Sequence, residues 1–139
     1  MVFGTHHICI KTADPAASRE FYEKALGFVL EAAVQHTPAT ASLFLVSADG
    51  LLRLQLLSFP GAGGEHSAYG HLGVQVEDIH AAWAFHQAMG IISQEIVEQP
   101  HQLGYFIRDP DGYEIEICQL KNREPITKER NAPYEDYKH

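Results

Sequence analysis

Cysteine is scarce in this sequence, and positive charge is well outnumbered by negative charge. The only cysteines, Cys9 and Cys118, stand far apart and form no CxxC pair, which excludes a disulfide framework and argues against a thiolate zinc site. Lys and Arg total 10 against 18 Asp and Glu, for a formal net charge of −8. Nucleic acids and anionic membranes attract clustered Lys and Arg. We therefore expect neither as a partner, and a small molecule remains the expected ligand.

Long apolar runs are also missing. No segment approaches the roughly 20 consecutive apolar residues that a membrane span requires. The N-terminal segment has no basic start followed by a long apolar core, so it is not expected to be a secretory signal, and the expected compartment is the cytoplasm. The apolar fraction of 45% is ordinary for a globular protein, and 139 residues are enough for one domain with its own core.

What the sequence does contain is an internal repeat. Residues 7–28 and residues 71–91 both open on a histidine and continue as a strand-like alternation. They close on a glycine followed by an aromatic or an aliphatic residue. Three pairs of matching residues are each 64 positions apart: His7 and His71, Asp14 and Asp78, Phe21 and Phe85. The coincidence predicts a duplicated unit, with a first module at about 4–60, a second at about 68–120 and a polar tail at 121–139, all within one domain.

Each copy of the repeat predicts a strand, a helix and then further strands. Asp14 and Asp78 are predicted helix N-caps, and Gly27 and Gly90 lie where the helices are expected to end. Strands are predicted at 42–47, 51–57, 104–108 and 113–119, joined in pairs by turns at Asp49-Gly50 and at residues 109–112. On the second helix, the expected apolar stripe is Ala82, Phe85 and Met89, with His80 and His86 facing solvent.

Four polar residues share one position relative to these strands. Gln55 alternates with Leu54 and Leu56, and Glu116 alternates with Ile115 and Ile117. His7 and His71 stand opposite the aliphatic residues of their own strands in the same way. We therefore expect two half-sheets that bury an aliphatic face under the helices and curl their polar face around a cavity. Two imidazoles, an amide and a carboxylate suit one divalent ion with positions open to water or substrate.

At this point the sequence resembles the vicinal oxygen chelate superfamily, which includes glyoxalase I, methylmalonyl-CoA epimerase, fosfomycin-resistance thiol transferases and extradiol dioxygenases. The resemblance covers roughly residues 5–120 and depends on HICIKTADPAASREFYEKALGF, AYGHLGVQVEDI and DPDGYEIEI. The last two segments resemble small bacterial glyoxalase I. The resemblance implies an α+β fold in which two tandem βαβββ modules form a curved, barrel-like mixed sheet with helices outside. It also implies metal ligands at His7, Gln55, His71 and Glu116.

The resemblance further implies an enzyme, with Glu116 as its catalytic base. It would be a metal-dependent lyase or isomerase, similar to glyoxalase I (lactoylglutathione lyase), that acts on a small oxygen-chelating substrate through an enediolate. Bacterial glyoxalase I usually has a glutamate where this chain has Gln55, and a set of His, Gln, His and Glu resembles methylmalonyl-CoA epimerase instead. A third possibility is a non-catalytic protein that sequesters a drug, like the bleomycin-resistance proteins.

Other departures from the family bear on the substrate. Phe106 replaces a tyrosine of the thiol transferases and of the dioxygenases, and Cys118 replaces a thiol-transferase histidine. Both changes argue against fosfomycin as a ligand. Substrate contacts are predicted at four residues: Arg53, Cys9, Tyr69 and Phe106. Tyr105 is a further candidate for the pocket mouth, while Cys9 and Cys118 are also interpreted as buried small hydrophobes.

The expected partners are a small molecule, either a thiol adduct or an acyl-CoA, and a second copy of the chain. Modules of this size typically pair in the family, so a homodimer is expected. The residues alone leave open whether His7 and Gln55 meet His71 and Glu116 within one chain or between two. They also leave open whether the ion is Ni, Co, Zn, Mn or Fe.

Overall fold

Two successive βαβββ modules form the protein, as the repeat predicts. In a computed structural model, which describes residues 1–2, 4–63, 70–100 and 102–121, the first module contains β1 (Ile8–Thr12), α1 (Pro15–Leu26), β2 (Val29–Thr37), β3 (Thr40–Val46) and β4 (Arg53–Ser58). The second contains β5 (Leu72–Gln75), α2 (Ile79–Ala88), β6 (Ile92–Glu98), β7 (Gln102–Arg108) and β8 (Glu114–Leu120). The predicted fold class is confirmed. Most of the polar tail lies outside the described residues.

Each module forms its own four-stranded mixed sheet with the same topology. The strand orders are β1-β4-β3-β2 and β5-β8-β7-β6. The first strand of each module pairs in parallel with the last, and the other neighbours are antiparallel. This order places the strand that follows the leading histidine beside the strand that carries Gln55 or Glu116.

The helix boundaries follow the predicted capping residues. The Asp14 carboxylate accepts a hydrogen bond from the backbone N–H of Ala17, and Pro15 occupies the first turn, where it loses no helical hydrogen bond. Asp78 caps α2 through the N–H groups of His80 and Ala81. Gly27 ends α1 in the left-handed conformation, with φ 70°, which a residue with a Cβ rarely adopts. Neither helix in the described part of the chain is long and apolar enough to cross a membrane.

The strands β2 and β6 are additions to the sequence-based prediction, which identified only two strands after each helix. Both are edge strands and mostly exposed. Their pairing registers shift, between Leu30 and Ala32 in β2 and between Ile92 and Gln94 in β6. A register shift breaks the two-residue alternation of apolar and polar side chains. The sequence signal for both strands was therefore weak.

One hydrophobic core joins the two modules, and it confirms the two-faced sheets. Leu54, Leu56, Ile115 and Ile117 are fully buried beneath the helices, while Gln55 and Glu116 on the opposite face are only half-buried. Large side chains from both modules complete this core: Phe21, Tyr22, Phe28, Leu45, Ile79, Tyr105 and Ile107.

The predicted apolar stripe of α2 is confirmed at Ala82 and Met89, which pack against the core, and is wrong at Phe85. Phe85 is 52% exposed, whereas His86 is 3% exposed and Ile79 1%. Ile79, Ala82 and His86 recur at helical spacing and form the inward face. The His86 side chain is satisfied there, since Nε2 donates to the carbonyl of Ala25 at 2.8 Å and Nδ1 lies 2.7 Å from the hydroxyl of Tyr105. Tyr105 is thus fully buried and lines no pocket mouth, contrary to the prediction. His80 is exposed, as predicted.

The turn between β7 and β8 connects the second module to the first helix. The hydroxyl of Tyr22 donates to Oδ2 of Asp109 at 2.9 Å. Asp111 accepts hydrogen bonds from the backbone N–H of Ala13 at 2.8 Å and from the hydroxyl of Ser18 at 3.1 Å. The two carboxylates of this turn therefore hold the start and the middle of α1, so that the modules fold against each other.

Candidate metal-binding site

An imidazole and a carboxylate meet on the polar face of the second sheet. His71 lies directly before β5, and its Nε2 is 3.2 Å from Oε2 of Glu116 on β8. The parallel pairing aligns Gly73 with Glu116 and so sets the leading histidine beside the carboxylate. The side chains are 46% and 21% exposed, which leaves the pair accessible. The structure thus brings together two of the four predicted ligands.

Neighbouring residues orient both members of this pair. The side-chain amide of Gln102 on β7 donates to Oε1 of Glu116 at 2.8 Å. Phe106, which is paired in register with Glu116, packs edge-on against the His71 ring with centroids 5.2 Å apart. One carboxylate oxygen is therefore occupied within the sheet, and the other points toward the imidazole. Phe106 thus packs against a predicted metal ligand, and its predicted contact with the substrate stays a prediction.

The first sheet presents a related arrangement around Gln55. The amide nitrogen of Gln55 donates to the hydroxyl of Ser42 at 2.8 Å, and that hydroxyl lies 2.7 Å from Nε2 of His36. Ser42 is 1% exposed, so its hydroxyl depends on these two partners. With its nitrogen directed to Ser42, the Gln55 side chain has its carbonyl oxygen as the remaining polar atom.

His7 lies just before β1, in the position that His71 has before β5. Its ring packs edge-on against Phe44 of β3 with centroids 5.6 Å apart, as His71 does against Phe106. Its Nδ1 is also 2.7 Å from Nδ1 of the adjacent His6. Each module thus has one histidine that packs against a phenylalanine. Each also has one side chain with an oxygen donor, Gln55 or Glu116, on its last strand.

These two half-sites lie on separate sheets. Within residues 1–2, 4–63, 70–100 and 102–121, no three His, Cys, Asp or Glu side chains come close enough together to hold a metal ion. The geometry therefore groups His71 with Glu116, and it groups Gln55 with Ser42 and His36, without joining the two groups into one cluster.

The other predicted substrate residues differ in their surroundings. Arg53 forms a two-pronged ion pair with Glu31, with Nε 2.5 Å from Oε2 and a terminal nitrogen 2.7 Å from Oε1. The hydrogen-bonded guanidinium of Arg53 holds the pKa of the Glu31 carboxyl below its ordinary value. The charge of Arg53 thus already has a partner in the chain. Tyr69 lies outside the described residues.

Neither cysteine is a buried small hydrophobe, contrary to that interpretation. Cys9 is exposed and Cys118 is partly exposed. Cys9 pairs in register with Gln55 and so lies on the first half-site. Neighbouring atoms keep some water away from both sulfur atoms and so raise the thiol pKa at both positions, with Lys11 opposing the shift at Cys9 and Glu116 adding to it at Cys118. Because the thiolate is the reactive form, both cysteines are expected to be unreactive at neutral pH.

Ser42, His36 and Gln102 are site residues that the sequence did not identify. Ser42 and Gln102 lie on β3 and β7, the strands next to those that carry Gln55 and Glu116. Such residues are recognisable only once strand register is known, because their role is a contact across the sheet. No local pattern in the sequence therefore indicates them.

The comparison with protein families gives this geometry its context. Residues 4–117 match the model of the Glyoxalase/Bleomycin resistance protein/Dioxygenase superfamily. The chain belongs to this superfamily. Among members with curated sequences, the protein YaeR of Escherichia coli strain K12 is 30% identical over 121 residues, which are 82% of this chain and 94% of YaeR. Lactoylglutathione lyase of Haemophilus influenzae is 31% identical over 124 residues, 84% of this chain and 92% of that protein.

Solved structures of the superfamily agree in fold. The trypanothione-dependent glyoxalase I of Leishmania major superposes with a TM-score of 0.68 at 28% identity, covering 81% of this chain and 84% of that chain. An antibiotic-binding protein from Streptomyces, TnmS3, superposes with a TM-score of 0.67 at 19% identity, covering 87% of this chain and all of that chain. The superfamily fold thus occurs in proteins that are described as enzymes and in one described as a binding protein.

Proposed function

We propose that the protein is a metal-dependent lyase or isomerase of the glyoxalase I type, with His7, Gln55, His71 and Glu116 as the metal ligands. The observation that carries the proposal is the convergence of the His71 imidazole and the Glu116 carboxylate, whose facing atoms are 3.2 Å apart on an accessible sheet face. In the same region of each module, an aromatic ring fixes the histidine and a hydrogen bond fixes the oxygen-bearing side chain.

The chemistry of these donors fits a divalent ion. Imidazole nitrogen and carboxylate oxygen are ligands for borderline metals, and a set of four protein donors leaves further positions for substrate. The amide nitrogen of Gln55 is bonded to Ser42, so its oxygen is the donor atom on offer. A bound ion would act as a Lewis acid on two neighbouring oxygens of the substrate.

Glu116 is the proposed base for the proton transfer. Its Oε1 is held by Gln102, whereas Oε2 faces His71 and the open side of the sheet. A carboxylate fixed in this way can take a proton from a carbon next to a carbonyl group and return it to the adjacent carbon. Its half-buried position beside Phe106, its register partner on β7, limits water around the transfer.

A thiol hemithioacetal is the proposed substrate class. Lactoylglutathione lyase is the name of a relative that is 31% identical. The proton shift that converts such an adduct into a thioester needs one positioned base and no redox partner, which this residue set can supply. We therefore propose isomerisation of the adduct of a 2-oxoaldehyde with a small thiol.

Epimerisation next to a thioester is the second candidate, and Gln55 favours it. An amide takes up no proton, so the site has one carboxylate base where bacterial glyoxalase I usually has two. The hydrogen bond to Ser42 holds Gln55 in a fixed role as an oxygen donor. Glu116 would then remove the proton next to the thioester, and a proton from water would return to the opposite face of the resulting enolate.

We propose in addition that two copies of the chain complete each site. The half-site of the first sheet and that of the second do not join into one cluster within the described residues. Exposed apolar side chains, Val34 on β2 and Val97 on β6, flank the two half-sites. Pairing of two chains would cover them and bring His7 and Gln55 of one copy to His71 and Glu116 of the other.

The metal requirement is tested first by metal analysis of the purified protein after incubation with Ni²⁺ or Zn²⁺. We expect about one ion per chain in the wild type and strongly reduced content in His71→Ala, because that variant loses a nitrogen donor.

We expect Glu116→Gln to lose at least about 100-fold in kcat with methylglyoxal and glutathione, since the base is removed. Full turnover by Glu116→Gln would contradict its role. Absence of metal uptake, together with tight binding of an aromatic drug, would instead indicate a ligand-sequestering protein.

The shared site is tested by mixing two inactive variants. If His7→Ala and Glu116→Gln chains are combined, unfolded and refolded together, a mixed dimer has one site with all ligands intact and one site with both defects. We expect activity to return in the mixture, whereas each variant alone stays inactive. A mixture as inactive as its components would contradict a site between two chains and favour one within a single chain.

A further inference from the structure

The carboxylate of Glu116 is held from the neighbouring strand by Gln102. Gln102 stands on β7, one strand away, and its side-chain nitrogen donates to Oε1 at 2.8 Å. A carboxylate only accepts hydrogen bonds, so the amide nitrogen of Gln102 must be the donor. This contact leaves Oε2 as the oxygen that faces His71.

A glycine keeps open the space in which this hydrogen bond forms. A methyl group on Gly104 would lie 3.3 Å from Oε1 of Glu116, 3.4 Å from the carbonyl oxygen of Ile117 and 3.6 Å from the side-chain nitrogen of Gln102. The contact with Glu116 is tighter than ordinary van der Waals contact, the other two are ordinary, and two of the three atoms belong to the hydrogen-bonded pair. The backbone of Gly104 has no positive φ that would demand glycine. What a side chain at position 104 would meet is chiefly the Glu116–Gln102 pair.

The first module also has a side-chain hydrogen bond between its third and fourth strands, made by different residues. Ser42 on β3 accepts from the amide of Gln55 on β4, as Gln102 on β7 donates to Glu116 on β8. In each module, therefore, a polar residue on the third strand fixes the orientation of the oxygen-bearing residue on the fourth. The two residues do not stand at the same register position, since Ser42 lies two residues before Phe44, the partner of Gln55, whereas Gln102 lies four residues before Phe106, the partner of Glu116.

We propose that Gln102 is a positioning residue that sets which oxygen of Glu116 is presented to the metal, and that Gly104 provides the space for it. The proposal rests on the metal site given under the proposed function. Without the amide of Gln102, the carboxylate is free to rotate, so His71 and Glu116 are no longer held in a fixed relative orientation. Partners of this kind typically change metal affinity by 10- to 100-fold when they are removed.

The experiment measures Co²⁺ binding to the full-length protein by calorimetry and by the visible absorption of the bound ion. Gln102→Leu removes the donor at similar size, and we expect roughly tenfold weaker binding and a changed absorption spectrum, because the spectrum reports ligand geometry. Gly104→Ala should produce the same kind of change by pressing on the carboxylate from the side.

Gly73→Ala is the matched control for the second variant. Gly73 pairs in register with Glu116 on the other side of β8, and a methyl group there would meet no atom within 4 Å in the described parts of the chain. The same substitution on opposite sides of one carboxylate should therefore change Co²⁺ binding at position 104 and leave it unaltered at position 73. Gln94→Leu controls for the loss of an amide, because Gln94 lines the same groove as Gln102 and Glu116 and makes no hydrogen bond to Glu116 in the described structure.

The outcomes separate this inference from the metal site itself. If the wild type binds Co²⁺ and both Gln102→Leu and Gly104→Ala match it in affinity and spectrum, Gln102 has no positioning role, although the metal site stands. If the wild type binds no Co²⁺ when it is supplied, the metal site and this inference both fall. Should Gln102→Leu fail to fold, as judged by its thermal unfolding, the comparison of Gly104→Ala with Gly73→Ala still decides the matter.

Discussion

At the scale of single residues, the buried carboxyl of Asp109 makes the stability of the protein depend on pH. Burial raises the pKa of its carboxyl from 3.8 to about 6, and three hydrogen bonds, from Tyr22 and from the backbone N–H groups of Asp111 and Tyr113, only partly oppose the shift. Asp109 thus joins the two modules, although its buried surroundings disfavour the ionised form of its carboxyl group.

Replacing Asp109 by Asn should flatten the dependence of stability on pH. A folded-state pKa above the unfolded value means that protonation favours folding, so this contribution is present below about pH 4 and is lost as the pH rises through about 6. Asn keeps an oxygen acceptor for the backbone groups and carries no charge. Between pH 4 and 7, we expect the wild type to lose on the order of 3 kcal/mol relative to Asp109→Asn.

Urea unfolding of both proteins at pH 4, 5, 6 and 7 measures this difference. Parallel stability curves would contradict the raised pKa.

Residue roles were predictable where the signal was local. The alternation around Gln55 and Glu116 identified the polar face of each sheet, because side chains alternate between the faces of a strand. His86 was misassigned, although its distance of seven residues from Ile79 agrees with the buried face of a helix. Because histidine is polar, the sequence predicts that it faces solvent. Its burial is possible only because Ala25 and Tyr105, from other elements, form hydrogen bonds with its ring.

At the scale of elements, the helices are defined by their first residues more than by their apolar faces. Asp78 accepts hydrogen bonds from the N–H groups of His80 at 3.1 Å and Ala81 at 3.0 Å. These groups have no acceptor inside the helix, since they belong to its first turn. The prediction of both helix starts from Asp14 and Asp78 succeeded because capping is a local interaction.

Asp78→Ala should therefore lower the free energy of unfolding by about 1 kcal/mol, the usual cost of a lost N-cap. Asp78→Asn keeps the oxygen that accepts these hydrogen bonds and should remain within a few tenths of a kcal/mol of the wild type. Chemical denaturation of the three proteins provides the measurement. Equal destabilisation by Ala and Asn would mean that the charge of Asp78, and not its hydrogen bonding, stabilises α2.

At the scale of the whole molecule, the modules share contacts that make them one folding unit. Tyr22 reaches Asp109 and His86 reaches the carbonyl of Ala25, so each helix contacts the opposite module through a buried side chain. Ser18 and Ala13 add hydrogen bonds to Asp111. Contacts of this kind couple the stability of one half to that of the other.

A cavity in the first module should consequently destabilise the second. Leu45 on β3 is fully buried, and Leu45→Ala is expected to cost about 2–5 kcal/mol. Trp83 on α2 is the only tryptophan, so its fluorescence reports unfolding of the second module. We expect the fluorescence midpoint in urea to fall together with the circular dichroism midpoint. A fluorescence transition unaffected by the substitution would indicate modules that unfold separately.

The site was predictable only in part at this scale. The repeat and the family resemblance identified four candidate ligands, because both can be recognised from the spacing of residues along the sequence. The relation between the two half-sites depends on how the sheets are arranged, which no local pattern encodes. The partners Ser42 and Gln102 depend on strand register in the same way.

The two buried side chains that cross between the modules, Tyr22 and His86, stand 64 residues apart and are therefore the same position of the duplicated unit. A single ancestral unit that paired with its own copy would have used one residue type for both crossings. Duplication and fusion removed that restriction, so one position evolved as a phenol that donates to a carboxylate and the other as an imidazole that donates to a backbone carbonyl. Exchange of halves between related proteins would therefore require an acceptor side chain at position 109 for the Tyr22 hydroxyl, whereas any residue at position 25 offers the carbonyl that accepts from His86.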